Sequence, residues 1–261
     1  MILAVMCFDL EVDSLRVINY NVQYSQNTNA EMIRNMKLND LLGYSPQVLK
    51  TKKSLPLTNE LLQQNLKDLS RLNPLVSFAD LEVSSIVQGH SYAKYFKEYN
   101  DFLNIIWWRN LRLGNWKLFI NTLENYAGKN SFQIFTGTSH MLELPLNLTH
   151  KQSKKLELKI DSKNLTIPAY IWSYVKSIDG RNQDFIIVGY NSPFAEFFTL
   201  KDIIFCPDIC SKIPWLEDIH TAFRYTFAGI MFCCSTNFIK ITKYLNGFPT
   251  DVFDKTFNNL L

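Results

Sequence analysis

The stretch Asn104-Ile-Ile-Trp-Trp-Arg-Asn-Leu-Arg-Leu-Gly-Asn-Trp-Lys-Leu-Phe-Ile-Asn-Thr-Leu-Glu-Asn-Tyr-Ala127 governs how the rest of the chain is read. A tryptophan pair, Trp107 and Trp108, leads to a turn at Leu113-Gly114-Asn115. Beyond it Trp116, Phe119, Ile120, Leu123, Tyr126 and Ala127 recur at helical spacing, so they share one face. Lys117, Asn121, Thr122, Glu124 and Asn125 fall largely on the other. A stripe of this kind ordinarily packs against a core, and by periodicity alone the segment is a loop feeding an amphipathic helix.

Working outward, Ser131-Phe-Gln-Ile-Phe-Thr-Gly-Thr138 alternates as a strand should and ends in a Thr-Gly-Thr turn. Residues 156–160 are a second short strand candidate. Residues 167–178 and 184–190 flank Gly180-Arg181-Asn182 and predict a hairpin. Upstream, residues 12–24 read as extended, with Val17, Ile18, Tyr20, Val22 and Tyr24 as strand formers. A helix is expected over 29–43, stopped at Gly43, and another over 58–70. Between them Pro46 and Pro56 mark a loop, whose Lys50, Lys52 and Lys53 read as solvated rather than as a phosphate contact. A short helix is expected from about Pro214 or Trp215, and a last short element from Phe238 to Leu245. No internal repeat or low-complexity linker interrupts the series.

With 261 residues, 47% of them hydrophobic and 14% aromatic, the chain can bury one core of bulky rings, and its composition argues against disorder. One domain over residues 1–261 is the expectation. The balance of 27 basic to 24 acidic residues, a net +3, does not itself point to nucleic acid, so any basic surface must be local. No apolar run reaches the roughly 18 residues that span a bilayer, so no membrane partner is expected. The apolar start, Met1 to Phe8, lacks a basic region and is broken by Asp9 and Glu11. It is not a complete signal peptide, and residues 1–15 are read as a shortened or misassigned N-terminus unless the protein is cytosolic.

Cys206 and Cys210 lie in Phe-Cys-Pro-Asp-Ile-Cys, and Cys233 and Cys234 are adjacent. Adjacent cysteines rarely bond to each other, so two bridges between the pairs are favoured, with Cys7 left over. Buried free thiols are the alternative; a zinc site is disfavoured by the spacing. Bridges would fit secretion, as would the sequons Asn147-Leu-Thr149 and Asn164-Leu-Thr166.

Gly114-Asn115-Trp116 before a helix ending Asn125-Tyr126-Ala127 resembles the metal-site helix of the DNA/RNA non-specific endonucleases, the Serratia-type family in its insect form. Tyr24-Ser-Gln-Asn-Thr28, Thr136-Gly-Thr138, Ile167-Pro-Ala-Tyr-Ile-Trp172 and Gly189-Tyr-Asn-Ser-Pro193 are similar to that family in order and spacing. The resemblance covers about residues 20–250. It implies an α+β, ββα-metal (His-Me finger) nuclease-like fold, with a central antiparallel sheet flanked by helices.

The resemblance also implies a site. The family cleaves phosphodiesters with one divalent cation, magnesium, and a histidine base in an Arg-Gly-His triplet. Two registers are open here. Gln88-Gly89-His90 keeps the histidine but leaves a short run to Asn104. Arg71-Leu72-Asn73 keeps the arginine, puts Asn73 at the base position, and is preferred because Ala79-Asp80-Leu81 is a further match. The family's metal-binding asparagine lies four residues before the turn tryptophan, which is Arg112 here. Its supporting glutamate falls on Ile120 and its phosphate-holding arginine on Glu124. Asn104 is similar to an upstream family asparagine, displaced by one residue, and the Pro-Gln that follows has become Ile-Trp.

Arginine has five donors and no lone pair to give, so Arg112 cannot ligate a cation. The expectation is a degenerate member, not an efficient enzyme, that binds DNA or RNA phosphate without sequence preference through Arg112, Arg109, Lys117 and Arg71. The alternatives are an active endonuclease with a rearranged site using His90 and Asn104, and a secreted interaction protein with no enzymatic role.

Overall fold

A computed structural model describes residues 4–9, 14–22, 57–72, 80–89, 100–145, 153–160, 163–238, 240–245 and 248. In chain order these form β1 (Ala4–Asp9), β2 (Ser14–Val22), α1 (Asn59–Leu72), β3 (Leu81–Ser85), α2 (Asn100–Leu103), β4 (Asn104–Trp108), α3 (Arg109–Leu113) and α4 (Asn115–Ala127). Then come β5 (Phe132–Met141), β6 (Glu143–Pro145), β7 (Ser153–Lys155), β8 (Glu157–Ile160), β9 (Lys163–Thr166), β10 (Pro168–Ser177) and β11 (Phe185–Tyr190). The last are α5 (Leu200–Ile203), a run of short 3-10 turns, β12 (Met231–Ser235) and α6 (Ile241–Tyr244).

The frame is a six-stranded antiparallel sheet in the order β1-β2-β5-β10-β11-β12. The strands expected at 12–24, 131–138, 167–178 and 184–190 supply β2, β5, β10 and β11, and 156–160 supplies β8. The helix expected over 58–70 is α1, the one from Pro214 is a single 3-10 turn (Pro214–Leu216), and the last element is α6. The helix expected over 29–43 lies outside the described residues. Asn104–Trp108, read as a lead-in to the helix, is a strand. Four of its five residues are buried, so it shows no alternation to read.

Each face of the sheet carries a core. On one, Ile18, Phe132, Ile171 and Ile187 meet the apolar stripe of α4. Trp107 and Trp116 meet edge-on at 5.5 Å, and Trp116 meets Phe119 at 5.7 Å. On the other, Val17, Trp172, Val188 and Phe232 meet Ile203 and Ile241.

The cysteines join these two faces. Neighbouring residues of a strand point to opposite sides, so Cys233 and Cys234 of β12 reach different cores. Cys234 bonds Cys206 and Cys233 bonds Cys210. The segment 206–210 therefore wraps the edge strand, and Ile209 N–H donates to the Cys233 carbonyl at 2.9 Å. Asp208 completes the staple, accepting from the backbone N–H of Cys210 at 3.0 Å and of Cys233 at 2.9 Å, and pairing with Arg224. An edge covered in this way cannot template further strands.

Candidate functional site

The antiparallel hairpin of β3 and β4 pairs Leu81 with Trp108 and Ser85 with Asn104. Buried Asn191, just past β11, fixes the hairpin to the sheet. Its Oδ1 accepts from Trp108 N–H, and its Nδ2 donates to the carbonyls of Ile106 and Pro168, each at 2.9 Å. The helices α3 and α4 follow this two-stranded antiparallel sheet directly in the chain.

The residues after β3 return to these helices. Gln88 donates to the Ser85 carbonyl, and its Oε1 accepts from Arg112 Nη1 at 3.4 Å. Gly89 has φ of +123°, and a β-carbon there would stand 2.7 Å from a Glu124 carboxylate oxygen and 3.4 Å from Ile120. The positive φ favours glycine, and a side chain there would also have to displace the end of Glu124. Gln88 and Gly89 therefore lie against the positions 112, 120 and 124 at which the resemblance sets its site. Arg71, of the other register, ends α1, and its side chain lies outside the described residues, as do Asn73 and His90.

Arg112 is occupied. Its Nε donates to Glu82 Oε1 at 2.6 Å, with the two side chains 20% and 22% exposed. Arg109 stands 3.9 Å from the other oxygen of Glu82 and is 61% exposed. Lys117 is exposed on α4, Asn104 is half-buried at the end of the hairpin, and Ile120 is buried in the core.

At two of the positions to which the resemblance assigns the metal site, the side chains offer a cation no lone pair. Position 112 carries a cation already paired with Glu82, and position 120 is an isoleucine. Among the described residues, Asp208, Cys210 and Cys233 alone cluster as potential ligands. Both sulfurs are in disulfides and so cannot bind as thiolates.

Sequence reasoning missed Glu82 and Asn191. Glu82 is an acid on a short strand with nothing local to mark it, whereas Asn191 stands within Gly189-Tyr-Asn-Ser-Pro193, where an asparagine directly after a buried strand is a usable signal.

No protein-family model matches the chain, and no curated protein matches it in sequence. Among solved structures it is similar to one described as the crystal structure of the EndoG/EndoGI complex and its mechanism of EndoG inhibition. The TM-score is 0.41 at 9% identity, over 72% of this chain and 71% of that one. A likeness of that degree does not identify the chain. What stands is a mixed α/β protein built on a central antiparallel sheet, with two disulfides and, among the described residues, no helix long and apolar enough to cross a membrane.

Proposed function

We propose that this is a secreted, nuclease-like protein of the ββα-metal kind in which an internal ion pair replaces the hydrolytic centre, and that it holds DNA or RNA phosphate without efficient cleavage. The carrying observation is the pair between Arg112 and Glu82. It puts a permanent cation, already neutralised, where a metal ligand would be needed. Arg109, on the same helix as Arg112, and Lys117, on α4, stay exposed and supply the phosphate contacts. Arg71 is the fourth residue proposed for the set. The disulfides support an oxidising compartment.

Filter binding on single- and double-stranded DNA at low and moderate salt tests this reading. Salt-sensitive binding weakened by Arg109→Ala or Lys117→Ala supports it; absence of any binding removes it and leaves a protein-binding role.

A second reading, an active endonuclease with a rearranged site, is favoured by the close approach of Gly89 to α4, because His90 follows directly in the chain. In that reading His90 is the general base and Asn104 a metal contact. Plasmid nicking with magnesium, abolished by EDTA and by His90→Ala, would establish it in place of the first.

A further inference from the structure

An aromatic pair stands exposed beside the helices just described. Tyr225 and Phe227 are 54% and 71% exposed, and their rings stack at 5.5 Å with an 18° tilt. Exposed large apolar side chains grouped in this way mark contact surfaces, and here Leu113, 44% exposed, lies on the adjoining helix.

The pair is held rigidly. Buried Asn115, at the start of α4, donates from Nδ2 to the carbonyls of Ala222 at 2.7 Å and Gly229 at 2.6 Å, clamping both ends of the segment that carries the rings. Phe223 is buried beneath it. Gly229 has φ of +88°, and a β-carbon there would stand within 2.7 Å of Leu111, so α3 and the segment touch directly. Arg224, between the buried Phe223 and Tyr225, is tied to Asp208.

Charge sets the class of partner. Residues 109–119 and 220–229 contain Arg109, Arg112, Lys117 and Arg224, while the acids Glu217 and Asp218 stand exposed just before the second segment and Glu124 lies further along α4. Glu82 and Asp208, from other segments, offset Arg112 and Arg224. Arg109, only loosely shared with Glu82, and Lys117 remain as exposed cations on the elements flanking the rings.

From this juxtaposition we infer that Tyr225 and Phe227 form a stacking platform for unpaired bases, so that the protein takes single-stranded nucleic acid in preference to duplex. Flat π-faces accept any base, while the cations follow the phosphates without reading sequence. A duplex hides its base faces and gains nothing from the rings. The inference rests on the nucleic-acid reading above and narrows it to a strand type.

Fluorescence anisotropy of the full chain tests it, with three labelled probes of equal length: an oligothymidylate, an abasic backbone of the same charge, and a duplex. Wild type is expected to bind the oligothymidylate tightest. Tyr225→Ala and Phe227→Ala should each weaken that probe by roughly 5- to 100-fold and leave the other two unchanged. Tyr225→Phe, which keeps the ring, should retain binding. Lys117→Ala should weaken all three probes and flatten the salt dependence. Circular dichroism of each variant confirms folding, since both rings are on the surface.

If the alanine variants bind oligothymidylate like wild type, the platform is refuted while the nucleic-acid reading stands. If wild type binds none of the probes, both fall. Sedimentation of the same samples decides a competing occupant. A wild-type dimer that becomes monomeric in Phe227→Ala, with oligothymidylate binding intact, would overturn the proposal in favour of a second copy of the chain.

Discussion

The guanidinium of Arg112 lies 2.6 Å from the carboxylate of Glu82, thirty residues earlier in the chain, and the pair ties helix α3 to strand β3. Both side chains are about four-fifths withdrawn from water, so removing one partner leaves a partly desolvated charge behind.

Removing one partner leaves the other with weaker neighbours, Arg109 for Glu82 and Gln88 for Arg112. Glu82→Ala or Arg112→Ala is expected to cost about 1–3 kcal/mol by urea unfolding. The double variant should cost less than the sum, with a coupling of about 1 kcal/mol. Strict additivity would show that the pair contributes nothing of its own.

Gly89→Ala tests whether backbone angle or space dominates at that turn. A φ of +123° is unfavourable for any L side chain, and the expected cost is roughly 1–3 kcal/mol. The crowding atom is the end of a flexible glutamate, so Glu124→Ala in the same chain should recover little of that loss. Full recovery would assign the cost to the carboxylate instead.

Asn115→Ala removes the two donations that clamp the segment 222–229. Leaving a buried carbonyl without its donor is expected to cost about 1–3 kcal/mol. Asn115→Asp should behave alike, since a carboxylate cannot donate. Faster amide exchange confined to residues near 222–229, under conditions where the sheet stays protected, would locate the effect.

Replacing Cys206 and Cys234 together by serine opens a bridge of sequence separation 28, and Cys210 with Cys233 one of 23. Each pair is expected to lower stability by about 3–4 kcal/mol through the freedom regained by the unfolded chain. The two loops overlap, so losing both should cost less than twice as much. Chemical unfolding of the two double variants and the quadruple variant measures this.

Burial pushes the phenol of Tyr190 up to about 12, with a Ser192 hydrogen bond opposing and the charges of Glu143 and Asp202 adding to the rise. Tyr170 is raised further, first by burial and then by Tyr190 and Glu143. A raised folded value means stability is intact below the ordinary value of about 10 and falls as pH climbs towards 12, because the unfolded chain loses these protons first. Absorbance titration should show Tyr170 and Tyr190 resisting ionisation until the fold gives way. Ionisation of both near pH 10 with the fold intact would contradict the burial.

Much of the frame was legible from local pattern. The stripe from Trp116 to Ala127 is buried on the expected face, Tyr126 only in part, and Gly180 turns the expected hairpin. Two bridges between the cysteine pairs follow from their adjacency, but which sulfur meets which depends on β12 being an edge strand with a core on either side. The strand at Asn104–Trp108 was not legible, because a strand buried on both faces has no alternation. The register around residues 71–90 was not legible either. Counting residues between motifs cannot say how a loop closes.

What residue order alone established is short-range and periodic: a helix face, a strand run, a turn, and the arginine at position 112 that no cation would accept as a ligand. Folding added what joins distant segments. Glu82 meets Arg112 across thirty residues, Asn115 reaches the carbonyls of Ala222 and Gly229, and Asn191 holds the hairpin to the sheet. Such contacts are set by how the core packs the elements together. No interval along the chain encodes them, and the ion pair that Arg112 makes with Glu82 is visible only in the folded chain.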